Sequence, residues 1–279
     1  SYAKMAEISQ LEADAEKAVN AYNTLKDNGM KVFIGTVTTG ACLSVVSQTK
    51  ADNMFQITPS ASAAKVIAND NCFQVCFTDP NQGTASADYI ASKGLATKVA
   101  VIYNSSDAYS SGIYDNFKAE AAAKGLDLVA SEAFTGDSKQ DFSSQLSKIK
   151  ASGAELIFLP IYYQEASLIL SQAKNAGITA KFFGCDGLDG LLNIENFDKS
   201  LAENVMLLTP FAANATDETT KKFVAAYNAK YDPSTLNQFA ADAYDAVYVV
   251  KAAAEKAGVT GDMSVSDICN ALKGAMTEI

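Results

Sequence analysis

The 279-residue sequence contains no histidine. Without an imidazole, Ser-His-Asp and Cys-His catalysis are closed to the chain, and so are most catalytic zinc sites. No run of 18 apolar residues occurs, so no segment reads as a membrane-spanning helix. No CxxC occurs among the five cysteines, Cys42, Cys72, Cys76, Cys185 and Cys269, and an odd number cannot all pair within one chain. Cys72 and Cys76 fall four apart in a strand-like run, about 13 Å from each other and beyond disulfide reach. The cysteines read as buried small hydrophobes. There is no GxGxxG, P-loop, GxSxG, HExxH or EF-hand loop, so nothing asks for a cofactor. Asp186 and Asp189 in GCDGLDG resemble a metal loop only faintly, because the EF-hand spacing and its terminal Glu are missing. Basic clusters are missing too. Lys and Arg number 22 against 32 Asp and Glu, a net charge of −10, which argues against nucleic acid and anionic membranes as partners. No initiator Met and no signal peptide open the sequence, which reads as a mature or trimmed chain whose compartment is not directly legible.

What is present is a rhythm of helix, glycine, apolar strand. It recurs at Gly29 before KVFIG, Gly94 before KVAVIY, Gly125 before LDLVA, Gly153 before AELIFLP and Gly177 before ITAKFFG. Glycine after a helix's last turn is the left-handed cap. The strands are continuous apolar runs, as expected where helices cover both faces of a parallel sheet. The class is α/β. Helices are expected over 12–28, 81–93, 141–152, 163–176, 237–257 and 264–274, each with apolar residues at helical spacing.

Two stretches break the rhythm, Phe77–Gly83 (FTDPNQG) and Thr209–Asp217 (TPFAANATD). Between them lie four strand-helix units. The expected organisation is one lobe from 1–77 plus 212–279 and a second from 84–208. Crossings near 78–83 and 209–211 would make a hinge and a cleft. Residues 1–11 contain no convincing strand, and the chain stops after a helix, so the outer lobe is expected to lack strands at both ends.

Candidate site residues cluster at strand ends, where ligands bind in open α/β sheets. Two strands end in bursts of hydroxyls, Thr36–Thr39 and Thr58–Ser62, each leading into a helix-like segment. Helix N-termini and hydroxyls suit a carboxylate, although plain Ser/Thr N-caps would look the same. In the second lobe, Tyr109 follows one strand, Tyr162 a second, and Asp186 a third. Tyrosine offers an apolar face with a polar tip, and Asp a charge for an ammonium. The alternatives are strand-end aromatics packing under a loop and an Asp N-cap or turn. Together the two walls complement an amino-acid zwitterion. With no nucleophile or acid–base pair, this favours a binding protein over an enzyme.

At this point the sequence resembles the type I periplasmic solute-binding proteins of ABC transporters, in their branched-chain (leucine/isoleucine/valine) branch. The resemblance runs through EADAEKAVNAYNTL, VFIGTVTTGACLSV, MFQITPSASAAKV and KVAVIYNSSDAYSSGIYDNFK. It continues through GDSKQDFSSQLSKIKASGAELIFLPIYYQEA and FFGCDGLDG to FAADAYDAVY. It implies two doubly wound, Rossmann-like lobes with parallel sheets joined by a hinge. It places carboxylate binding at Thr39, Ser60 and Ser62, with Ala61 contributing backbone, and the ammonium at Asp186, while Tyr109 and Tyr162 close over the ligand. It implies capture of an aliphatic L-amino acid and delivery to an ABC permease by a monomer that is periplasmic or extracellular, including lipid-anchored forms. It also implies that the family's first strand and last crossover are absent here. Two further departures stand out. The acid is Asp, one methylene shorter than the Glu of leucine-binding members. A disulfide of some members would need Cys near Ala13 and Thr38. The competing readings are a ligand-sensing domain of the same fold and, less favoured, an α/β enzyme.

Overall fold

Residues 14–279 are described by a computed structural model of the chain. Where the sequence shows apolar runs such as KVAVIY and LIFL, alternate residues face opposite sides of a sheet, and both sides are covered. Val99 and Val101 of β4 (Lys98–Asn104) and Phe158 of β6 (Leu156–Leu159) face one apolar cluster, with Ile113 and Phe117 of α4 (Ala108–Ala123). Ala100, Ile102, Ile157 and Leu159 face the other, with Leu146 and Ile149 of α5 (Ser143–Ser152) and Ile169 of α6 (Tyr163–Asn175). Each large apolar side chain buried this way contributes about 1.5–3 kcal/mol. An unbroken apolar run is therefore the signature of a strand sandwiched between helices.

The chain divides into two compact units. The first comprises residues up to Thr78 together with Phe239–Ile279, and the second is Asp79–Gln238. The second unit holds five parallel strands in the order β5-β4-β6-β7-β8, with β5 at Asp127–Phe134, β7 at Lys181–Gly184 and β8 at Val205–Leu207. This is a doubly wound order. The chain moves from β4 outward to β5, then returns to the other side of β4 to lay down β6, β7 and β8. The strand order reverses between β4 and β6, and such a reversal opens a crevice at the carboxyl ends.

The first unit, among the described residues, has three parallel strands in sequence order: β1 (Phe33–Ile34), β2 (Gln56–Thr58) and β3 (Cys72–Gln74). One side is covered by α8 (Gln238–Ala257) from Phe239 onward and α9 (Val265–Ala275), through Ala246, Ala253, Ile268 and Leu272 against Phe55 and Ile57. Phe33 and Met54 cluster instead with α1 (Ala15–Asp27) and α2 (Thr39–Ala51). The buried stripe of α1 is Ala18, Tyr22 and Leu25, while Ala15 is exposed. The five glycines read as helix caps have φ between 58° and 84°. At Gly153, φ is 70° and its N–H donates to Lys150 O.

The structure differs from the sequence reading at four places. FTDPNQG holds the division between the units, at Thr78 and Asp79, but the second unit and its first helix start earlier than expected: α3 runs Asp79–Ser92, from 79 and not from 81. Pro80 suits a helix's first turn because its fixed φ is helical and its missing N–H has no partner to lose there. Gly83 is needed for packing, since a Cβ there would lie 2.5 Å from Ile113 O and 2.7 Å from Phe117 N of α4. The second unit continues past 209–211, through α7 (Glu218–Asn228), to Gln238. The hydroxyl burst at Thr58–Ser62 leads into a four-residue 3₁₀ turn, Ala64–Ile67, not an α-helix. Cys76 lies beyond the end of β3. The expectation that residues 1–11 hold no strand falls outside the described residues. All five cysteines are buried, and none is in a disulfide.

Candidate functional site

In the first unit the two hydroxyl bursts are stitched together. Thr58 Oγ1 donates to Thr36 O (2.5 Å) and accepts from the Ala61 N–H (2.9 Å). Thr39, the first residue of α2, accepts at Oγ1 from the N–H groups of Ser62 (3.2 Å) and Ala63 (3.4 Å). Both acceptor positions of that hydroxyl are filled, and its one proton is left to donate. Thr39, Ser60, Ala61 and Ser62 are all buried. The Ser62 hydroxyl, on a residue 1% exposed, has no hydrogen-bond partner among the described residues. The Thr38 hydroxyl is likewise buried without a partner among them, and it makes no side-chain cap to α2. Buried hydroxyls are normally satisfied, so a pair that is not marks a place where a ligand could accept from them. The plain N-cap reading fails for the first burst. Ala61 can offer only its carbonyl, because its N–H is engaged by Thr58.

In the second unit the candidate residues come from strands on either side of the reversal. Tyr109 stands in the first turn of α4, after β4. Tyr162 stands at the N-cap of α6, after β6. Asp186 opens a 3₁₀ turn (Asp186–Leu188) after β7, with Cys185 as the N-cap. Asp186 is therefore not a cap of that turn. The Tyr109 and Tyr162 rings stack with centroids 4.7 Å apart and planes 18° off parallel. The Tyr109 hydroxyl donates to Asp186 Oδ1 at 2.6 Å and accepts from the Gly187 N–H at 2.9 Å. Gly187 is required for this approach, since a Cβ there would lie 2.7 Å from the Tyr109 hydroxyl oxygen and 2.6 Å from Ile161 O. The structure thus brings Tyr109, Tyr162 and Asp186 into one constellation.

Its electrostatics follow from burial. Asp186 is 3% exposed. Desolvation pushes its carboxyl up to about 6, against the pull of its bond from Tyr109 and of the polar groups of Gln82 and Gly187 beside it. Burial, and then the neighbouring Asp186 charge, push the Tyr109 phenol well above its ordinary range. An acid held this way gains most from a cation that arrives desolvated beside it. Among the described residues no group of three or more His, Cys, Asp or Glu is placed to hold a metal ion.

Two glutamines escaped the sequence reading. Gln82 of α3, fully buried, accepts the Asp186 N–H at Oε1 (3.2 Å). Gln238, at the start of α8, donates to the Asp186 carbonyl. A single glutamine carries no motif. The only signal for Gln82 was its place in the first turns of the helix that opens the second unit.

Residues 10–278 match the periplasmic binding protein family. The chain belongs to that family. It is 32% identical over 252 residues to the Leu/Ile/Val-binding protein homolog 3 of Brucella melitensis, covering 89% of this chain and 67% of that one. It is 28% identical over 261 residues to a leucine-, isoleucine-, valine-, threonine- and alanine-binding protein of Pseudomonas aeruginosa, covering 92% and 68%. A branched-chain amino acid transporter substrate-binding protein of Streptococcus pneumoniae, solved with isoleucine, superposes with a TM-score of 0.82. It is 28% identical and is covered over 72% of its length by 93% of this chain. A leucine-binding protein of Thermotoga maritima gives the same TM-score at 26% identity, over 93% of this chain and 73% of that one. This member of the periplasmic binding protein family therefore has the fold expected of it, parallel sheets flanked by helices in two units. Among its described residues no helix is long and apolar enough to cross a membrane.

Proposed function

We propose that this chain is the substrate-binding component of an ABC transporter and captures an aliphatic L-amino acid. The observation that carries the reading is the buried Asp186, hydrogen-bonded to Tyr109 beside the Tyr109–Tyr162 stack. A buried acid against an aromatic face suits an ammonium attached to an apolar body. In this proposal Asp186 takes the ammonium, and Tyr109 and Tyr162 cover the remainder. The hydroxyls of Thr39, Ser60 and Ser62, with the Ala61 carbonyl nearby, serve the carboxylate end. The relatives named for leucine, isoleucine and valine support the ligand class. The protein then acts by binding and release, without catalysis, as a monomer outside the cytoplasmic membrane. It is free or lipid-anchored there, and it hands its ligand to a membrane permease.

The test is a thermal-shift screen against the twenty amino acids, followed by calorimetry. A ligand at 100 times its Kd adds about 2.7 kcal/mol of stability. Leucine, isoleucine or valine should give such a shift with the wild type, and Asp186→Ala should abolish it. No shift with any amino acid would overturn the reading.

A further inference from the structure

Gln238 is fully buried and makes three hydrogen bonds, each to a segment distant in sequence. Its backbone N–H donates to Asp189 Oδ2 at 2.7 Å. Its Nε2 donates to the Asp186 carbonyl at 3.1 Å. Its Oε1 accepts from Thr209 Oγ1 at 2.8 Å. The amide has a donor and an acceptor in fixed positions, so it can bridge Thr209, just beyond β8, and the turn that opens with Asp186 after β7. The same turn is pinned at its other end, because the Asp189 N–H donates to Asp186 O (2.9 Å) while the Asp189 carboxylate accepts from the Gln238 N–H. The bonds to Asp186, Asp189 and Thr209 all lie within the second unit, of which Gln238 is the last residue. The Asp186 side chain is set from one direction by Tyr109, and its backbone is set from the other by Gln238.

We infer that Gln238 is a positioning residue for ligand recognition: it fixes the backbone of Asp186 so that its carboxylate presents to the ligand's ammonium. This rests on the amino-acid reading above. Gln238 need not touch the ligand. The Asp186 carbonyl keeps its bond from the Asp189 N–H if the Gln238 amide is lost, and Gln82 still holds the Asp186 N–H, so the turn stays bonded but loses its tie to Thr209.

The experiment is the pH dependence of L-leucine affinity by calorimetry between pH 4.5 and 8.5, a range over which leucine itself does not titrate. The variants are Gln238→Met, which keeps the volume without donor or acceptor, and Gln238→Ala. The titratable neighbours of Asp186 are Tyr109 and Cys185, both pushed upward, and Asp189, whose burial raises it. Asp189→Asn is therefore run as a control for the profile's origin. Wild-type affinity should climb with pH as Asp186 ionises. In the variants the affinity at pH 8 should fall about tenfold, the worth of one strong hydrogen bond, and the climb with pH should flatten, because a misplaced carboxylate no longer contributes when it ionises. A uniform drop that keeps the wild-type profile would mean a merely structural role and would overturn the inference, as would unchanged affinity. If the wild type binds no leucine at any pH, the amino-acid reading fails, and this inference fails with it.

Discussion

Replacing Tyr109 with Phe tests the site through one atom. The ring, and so its stack on Tyr162, is kept. What disappears is the hydroxyl that donates to Asp186 Oδ1 at 2.6 Å and accepts from the Gly187 N–H. A hydrogen bond to a charged acceptor contributes about 1.5–3 kcal/mol. This one favours the ionised carboxylate, so its loss must raise the pKa. At about 1.4 kcal/mol per unit, the rise is about one to two units. Starting from about 6, Asp186 should then titrate near 7 to 8. At pH 7 the wild-type acid is mostly ionised, whereas the variant's would be half protonated or more. Two assays read this. Carbon-13 NMR of labelled aspartate gives the Asp186 midpoint without any ligand. Calorimetry with L-leucine from pH 5 to 9 should show the rise in affinity displaced to higher pH by the same amount. A midpoint that stays near 6, or moves down, would refute the argument that Tyr109 holds Asp186 in its charged form.

Three further outcomes follow from the same geometry. Between about pH 4 and 6, folded Asp186 keeps a proton that the unfolded chain has released, so the unliganded protein should lose stability as pH rises through that window. Asp186→Asn removes this loss, and in denaturant titrations at pH 8 it should be more stable than wild type by about 2–3 kcal/mol; equal stability at pH 8 would contradict it. Gly187→Ala places a methyl against the Tyr109 hydroxyl and Ile161 O. It should cost about 1–3 kcal/mol of stability, measured by denaturant unfolding, and detach Asp186 from Tyr109, seen as a shift in the aspartate NMR signal. Phe158→Ala, at the centre of the second unit's core and stacked on Phe117 at 4.1 Å, should cost about 3–5 kcal/mol in urea unfolding; a cost under about 1 kcal/mol would mean the cavity collapses freely.

The second unit's core was legible because its chemistry is local. Val99–Ile102 and Leu156–Leu159 are apolar without interruption only because helices cover both faces of their sheet, and the glycines that stop the preceding helices are equally explicit. The strand-end position of Tyr109, Tyr162 and Asp186 could be read for the same reason. Their contacts could not. Asp186 and Tyr109 are 77 residues apart in sequence, and their bond depends on a side-chain approach that only a glycine at 187 allows. Helix α7 was missed because Phe223 is the one residue it buries, which leaves too narrow a stripe to detect. The extent of the second unit was misjudged because Gln238 is tied to it by polar bonds to Asp186, Asp189 and Thr209. Hydrophobic patterning does not register such bonds. In FTDPNQG the start of the second unit was placed at 84 and not 79, because proline and glycine usually mark turns, whereas here one stands in the first turn of a helix and the other admits a neighbouring helix.

The strand order of the second unit has a practical consequence. Tyr109, Tyr162 and Asp186 each stand within a few residues of the end of β4, β6 or β7, three strands that lie side by side. The hydrophobic clusters on the two faces of that sheet are built mainly from other residues. If these residues hold the ligand as proposed, recognition chemistry can be rewritten at a rim of a few positions; Tyr109 shares in the core there, while most of the load is carried elsewhere. For a designer seeking a reagentless sensor, that rim is the part to randomise, and the strands beneath it are the part to leave alone.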